Sequence, residues 1–207
     1  MAQSATTPSS ARFRRVGVAW ARVEPRRGEY DETELSELSL WVRAVRTKGD
    51  EPVVVLHDGA FPDWMISRHG WLHPDAIASF GCYVDRVAQK LGVHVRYWIP
   101  ILGIIQEARW YEGAQKPAVR AMIEAHATAY LHLKRSQGFG GKSPLIGIWE
   151  SDAGGLFSAS PAAITRVLGT GKWSFPLGFL GELSNGTPAL DFVVGDPGAS
   201  VPNIQLD

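Results

Sequence analysis

The run Glu51-Pro52-Val53-Val54-Val55-Leu56-His57-Asp58 places four apolar residues in an unbroken row and then turns polar. A strand with one wet face would alternate; an unbroken row is the pattern of a strand buried on both faces, as parallel strands are. The same shape recurs in Arg15-Val16-Gly17-Val18-Ala19-Trp20, across 95–102, in Pro144-Leu145-Ile146-Gly147-Ile148-Trp149-Glu150 and in Leu190-Asp191-Phe192-Val193-Val194-Gly195-Asp196. Between these runs, 31–48, 74–91 and 117–136 carry apolar residues at helical spacing. The second helix opens with His73 or a neighbour as cap, Pro74 in the first turn and Asp75 near the positive end of the dipole. Strand and helix alternating at roughly 40-residue intervals predict βα units around a parallel sheet, doubly wound or rolled into a barrel; pattern alone does not choose.

Composition narrows the partners. The 207 residues include 21 basic and 21 acidic side chains, so the formal charge is zero and nothing marks an electrostatic footprint for nucleic acid or anionic lipid. A hydrophobic content of 45% and a mean hydropathy of −0.07 suit a globular domain with one core. No run reaches membrane-spanning length, the start lacks the apolar segment of a signal peptide, and a lone cysteine forms no internal bridge, which together point to the cytoplasm. That cysteine, Cys82, is expected to be a small buried side chain on a helix. No cofactor is expected. Gly138-Phe139-Gly140-Gly141-Lys142-Ser143 lacks the leading glycine of a phosphate-binding loop and precedes a strand, so it reads as a turn. The six histidines show no metal-ligand spacing.

Several separate motifs, in order, resemble glycoside hydrolase family 1, the β-glucosidases. Arg15 to Gly28 (RVGVAWARVEPRRG) is similar to the family's second barrel strand and loop, R-x-S-x-x-W-S-R-I-x-P-x-x-G, with Trp20, Arg22, Pro25 and Gly28 in step. Pro52 to Trp71 resembles the third strand with its P-x-V-T-L-H-H-x-x-x-P-x-W loop, and Val95 to Ile99 followed by Trp110-Tyr111-Glu112-Gly113 resembles the fourth. The likeness is strong from about Arg12 to Lys134. It implies an α/β fold: a partial or modified (β/α)8 TIM barrel with about five parallel strands.

The departures bear on activity. Where the family reads T-x-N-E-P, with the glutamate as general acid/base, this chain reads Pro100-Ile101-Leu102-Gly103-Ile104, so Leu102 replaces the sugar-holding asparagine and Gly103 the acid. The family's histidine four residues before its loop proline corresponds to Asp58. No counterpart of the nucleophile strand is found. Retaining hydrolysis needs two carboxylates about 5–5.5 Å apart, so ordinary β-glucosidase activity is not expected.

A closed barrel takes about 250 residues, so residues 1–11 are expected to be a disordered tail and 12–207 a single incomplete barrel lacking the first, seventh and eighth strands. Two edge strands would then need covering. The candidates are a second protein chain supplying the missing strands, a copy of the same chain, or the tail from Leu156 onward, whose Lys172-Trp173-Ser174-Phe175-Pro176-Leu177-Gly178-Phe179-Leu180-Gly181 is aromatic and broken by glycine and proline.

Barrel chemistry gathers at the carboxyl ends of the strands. The residues there are His57 and Asp58; Gly103 and then Glu107; Trp149, Glu150 and Asp152; and Asp196. Asp58 and Glu150 are the candidate catalytic carboxylates. Trp20, His57, Gly103, Glu107, Trp149, Asp152 and Asp196 are the candidate substrate contacts, with Trp20, Trp98 and Trp149 as apolar walls. Each has a plainer reading: Asp58 capping the turn into Pro62-Asp63-Trp64, Glu107 pairing with Arg109, Asp152 and Asp196 organising turns, and the tryptophans, Trp98 above all, packing the core. Two functions remain. One is a non-hydrolytic, glycosidase-like subunit of a heteromeric biosynthetic enzyme acting on a small-molecule substrate by elimination, cyclisation or transfer. The other is a catalytically dead pseudoglycosidase that binds a ligand or stabilises a partner.

Overall fold

The computed structural model describes residues 13–149, 158–159, 164–166 and 191–194. Its strands are β1 (Phe13–Gly17), β2 (Glu51–His57), β3 (Tyr97–Ile101), β4 (Leu145–Trp149), β5 (Ser158–Ala159), β6 (Ile164–Arg166) and β7 (Phe192–Val194). Its α-helices are α1 (Trp20–Val23), α2 (Glu32–Thr47), α3 (Asp63–Ile66), α4 (Ala76–Leu91), α5 (Ile104–Ala108) and α6 (Gln115–Arg135). The strands form one sheet in the order β5-β1-β2-β3-β4-β7-β6. From β1 through β4 to β7 every pairing is parallel, while β5 and β6 add to the two edges antiparallel. The five parallel strands expected from the sequence are therefore present, in sequence order, and the sheet is not closed.

The sheet is nevertheless curled. Ala159 ends β5 at one edge and Ile164 begins β6 at the other. The five residues of chain from one to the other reach at most ~18 Å, whereas the outer strands of a flat seven-stranded sheet stand ~29 Å apart. Chain continuity thus brings the two edges towards each other, as barrel curvature does.

Both faces of the parallel strands are buried, as the unbroken apolar run in β2 requires. Val54, Leu56, Val16, Trp98 and Ile146 pack with Val84, Val87 and Leu91 of α4 and Met122 of α6, while Val53 and Val55 pack with Ile99 and Trp149 in a second cluster. Trp98 is fully buried. The helices start where their caps allow. Asp31 Oδ1 accepts from the amides of Thr33 and Glu34 at 2.8 and 3.0 Å and opens α2. α4 begins later than expected, at Ala76: Pro74 precedes the first turn and the N-cap is Asp75, whose side chain makes no capping bond, while His73 Nδ1 accepts from the Asp75 amide at 3.1 Å.

Two expectations are corrected here. The first strand lies earlier than its apolar run, at Phe13–Gly17, and Trp20 belongs to the short helix that follows. Cys82 is exposed rather than buried, because α4 packs through Phe80, Tyr83, Val84 and Val87 and turns position 82 outward. The Gly138–Ser143 stretch is a turn as expected, with Phe139–Gly141 in a single 3-10 turn. Among the described residues no helix is long and apolar enough to cross a membrane.

Candidate active site

His57 closes β2, and its polar neighbours come from the turn after β3 and the loop after β2. Its Nε2 stands 2.8 Å from Glu107 Oε1, and the same oxygen accepts from Trp71 Nε1 at 2.7 Å. Glu107 comes from α5, the turn after β3, and its amide donates to the Gly103 carbonyl. Trp71 comes from the 3-10 turn Gly70–Leu72 in the long loop after β2. Its own amide donates to Tyr111 Oη at 3.1 Å. All three side chains are buried. An ionised carboxylate accepts only, so against it the donor is the imidazole Nε2–H.

Rings enclose the imidazole. Phe61 lies 4.6 Å from it, Trp71 5.1 Å, Trp20 6.2 Å and Phe80 6.5 Å, centroid to centroid. Trp20 is the hub of this group, touching Trp64 and Tyr83 as well, and its Nε1 donates to the buried Glu24 at 2.7 Å. Burial raises the Glu24 carboxyl above its ordinary range, against the opposing hydrogen bonds from Gly28 and Trp20. Burial likewise raises Tyr83, whose hydroxyl donates to the Leu56 carbonyl at 2.9 Å, and Tyr111. Gly70 makes the packing feasible: at φ +55 a Cβ there would stand 2.5 Å from Tyr111 Oη and 3.1 Å from Phe61.

Asp58 points elsewhere. Its Oδ2 pairs with Arg15 Nη2 at 3.0 Å, and both side chains are about one-third exposed, at 34% and 33%. The Arg15 guanidinium in turn lies 5.9 Å from the Trp149 ring. Asp58 is therefore an ion-paired residue rather than a cap of the following turn. Glu107 does not pair with Arg109, the partner its sequence neighbourhood suggests, because the α5 turn aims its carboxylate inward at His57. Gly103 sits at φ +65, and its amide donates to the Trp149 carbonyl at 2.8 Å. A Cβ at Gly103 would meet the Gln106 side chain at 3.5 Å, so the space vacated by an acid at this position is bordered by Gln106.

The structure thus brings His57, Glu107 and Trp20 into one buried network, and sets Asp58 and Trp149 beside Arg15. Glu150, Asp152 and Asp196, with the aromatic stretch 172–181 and residues 1–11, lie outside the described residues. Sequence reasoning missed Trp71 and Arg15, whose partners stand 36 and 43 positions away. The Gly-Trp pair at 70–71 was the one available signal. Among the described residues no group of three histidine, cysteine or acidic side chains could hold a metal ion.

Comparison with solved structures gives the architecture its place. The β-glucosidase from Thermotoga maritima in complex with deoxynojirimycin is 20% identical, with a TM-score of 0.61 over 67% of this chain and 33% of that one. The chain carries part of a β-glucosidase barrel fold. The family 1 β-glucosidase from Exiguobacterium antarcticum B7 (21% identical, TM-score 0.59, 67% of this chain and 33% of that) and the AHE enzyme from Alicyclobacillus herbarius (22%, 0.59, 68% and 36%) agree. The chain spans about a third of the length of these structures. No family model and no curated protein matches it. At these identities the likeness is one of fold.

Proposed function

We propose that this chain is a non-hydrolytic, glycosidase-like subunit of a larger biosynthetic enzyme, with a small molecule held at the strand-end mouth against Asp58. The observation that carries the reading is the Asp58–Arg15 pair: a partly exposed carboxylate just past the carboxyl end of β2 and a guanidinium from the middle of β1, beside a segment after β3 that carries Gly103 instead of an acid. A carboxylate so placed can orient, or take a proton from, an amine or hydroxyl of the ligand, and the guanidinium keeps further N–H donors for it.

Deoxynojirimycin, the compound bound by the Thermotoga enzyme, is a suitable probe because it carries both amine and hydroxyl groups. Calorimetry is expected to show binding to the unaltered chain and a loss of about 10–100-fold in Asp58→Asn, the worth of a hydrogen bond to a charged group. Intact-complex mass measurement should show the same assembly state for both. Equal affinity in Asp58→Asn would remove this carboxylate from the site, and loss of folding or assembly would make it structural. A second reading, a self-closed pseudoglycosidase that binds without catalysis, is favoured by β5 and β6, which set the chain's own residues on both edges of the sheet. A monomer after co-expression with the neighbouring reading frame would select it.

A further inference from the structure

The His57–Glu107 pair leaves two polar atoms without partners. Glu107 Oε1 takes two hydrogen bonds while Oε2, equally buried, takes none, and His57 Nδ1 on the far side of the ring is buried and bare as well. Buried polar atoms in folded proteins are nearly always satisfied, so two orphans on one pair of side chains call for a specific occupant. As a carboxylate oxygen Glu107 Oε2 is an acceptor, and what it lacks is a donor. Among the described residues no lysine or arginine pairs with Glu107, whose ion-pair partner is His57 through Nε2. The surroundings are rings: Trp20, Phe61, Trp71 and Phe80 about the imidazole, with Tyr111 hydrogen-bonded to Trp71. A carboxylate oxygen without a donor, set among aromatic faces, is the chemistry that holds an organic ammonium ion: the carboxylate takes an N–H, and the ring faces attract the positive charge.

We propose that Glu107 and His57, within the aromatic group of Trp20, Phe61 and Trp71, form a binding site for a small primary ammonium ion. This rests on reading the strand-end mouth as a small-molecule site, and it names the ligand class: an amine enters as its cation, with Glu107 Oε2 accepting from it. Phe61 is the one ring of the four around His57 that is only partly buried. Asp58, the next residue along, is already paired with Arg15 and is a separate contact.

Methylammonium and methanol, nearly the same size and differing in charge, are the probes. Titration of the folded full chain, followed through the His57 ring carbon-bound proton by nuclear magnetic resonance, is expected to give a saturable shift with methylammonium and none with methanol. Phe61→Ala, which removes one of the ring faces that attract the cation, should weaken the response. Glu107→Gln, which keeps the size and an acceptor for His57 and Trp71, should weaken it at least tenfold, whereas Glu37→Gln, on the exposed side of α2, should leave it unchanged. No saturable response to methylammonium in the unaltered protein overturns the proposal, and so does an equal response to methanol. Loss of the response in Asp58→Asn but not in Glu107→Gln overturns it too, and would move the amine to the mouth. If deoxynojirimycin binding removes Asp58 from the site, the methylammonium response and its dependence on Glu107 are still expected, so the two readings fail separately.

Discussion

Replacing Trp20 by alanine lowers the stability of the chain by about 3–5 kcal/mol, the range for removing a large ring from a packed core. The ring is 1% exposed and touches His57, Phe61, Trp64, Trp71, Phe80 and Tyr83, so its loss opens a void at the centre of the cluster. It also strips Glu24 of one of its two donors, leaving the Gly28 amide alone on a carboxyl already disfavoured as an anion by burial. Trp41→Ala is the control: that ring is 59% exposed on α2, and its loss should stay within about 0.5 kcal/mol. Urea unfolding midpoints at constant slope measure both. A Trp20→Ala chain as stable as the parent would mean that Trp20 lines an open pocket, the role its strand-end position suggests from sequence.

The second large effect belongs to Glu107. Glu107→Leu leaves the Nε2–H of His57 and the Nε1–H of Trp71 buried with no acceptor, and each orphaned donor costs about 1–3 kcal/mol. The expected loss is therefore about 2–6 kcal/mol, the sum over both donors, while Glu107→Gln, whose amide oxygen can serve both, should lose far less. The difference between the two variants, rather than either alone, isolates the hydrogen bonds from the shape of the side chain. Near-equal loss in both would show that the negative charge itself holds the loop after β2 to the turn after β3.

How much of this was legible in the sequence follows from what local pattern can encode. The strand at Glu51–His57 and the helices at Glu32–Thr47 and Gln115–Arg135 were readable to within a few residues, because burial on two faces or on one stripe leaves a periodicity in the chain itself. The fate of Trp20 was not. A tryptophan just beyond a strand can line a mouth or fill a core, and the deciding neighbours, Phe61 to Tyr83, arrive from far along the chain. Glu107 is legible as a strand-end contact, yet its true partners are not, since spacing shows that Arg109 stands near in sequence and not which way a five-residue helix aims a carboxylate. Cys82 failed for a different reason: residue type favours burial, whereas its position in line with Asp85, Arg86 and Gln89 puts it on the polar stripe of α4.

The central claim is part of a β-glucosidase type of barrel in which the segment after β3 carries Gly103, at φ +65, where an acid would protonate a leaving group. The direct measurement is release of nitrophenol from an aryl β-glucoside by the purified chain of 207 residues. The expected result is release at the rate of buffer alone, in the unaltered chain and in Asp58→Asn alike. Turnover at an ordinary enzymatic rate, on the order of 10 per second, abolished by Asp58→Asn or Glu107→Gln, would contradict it.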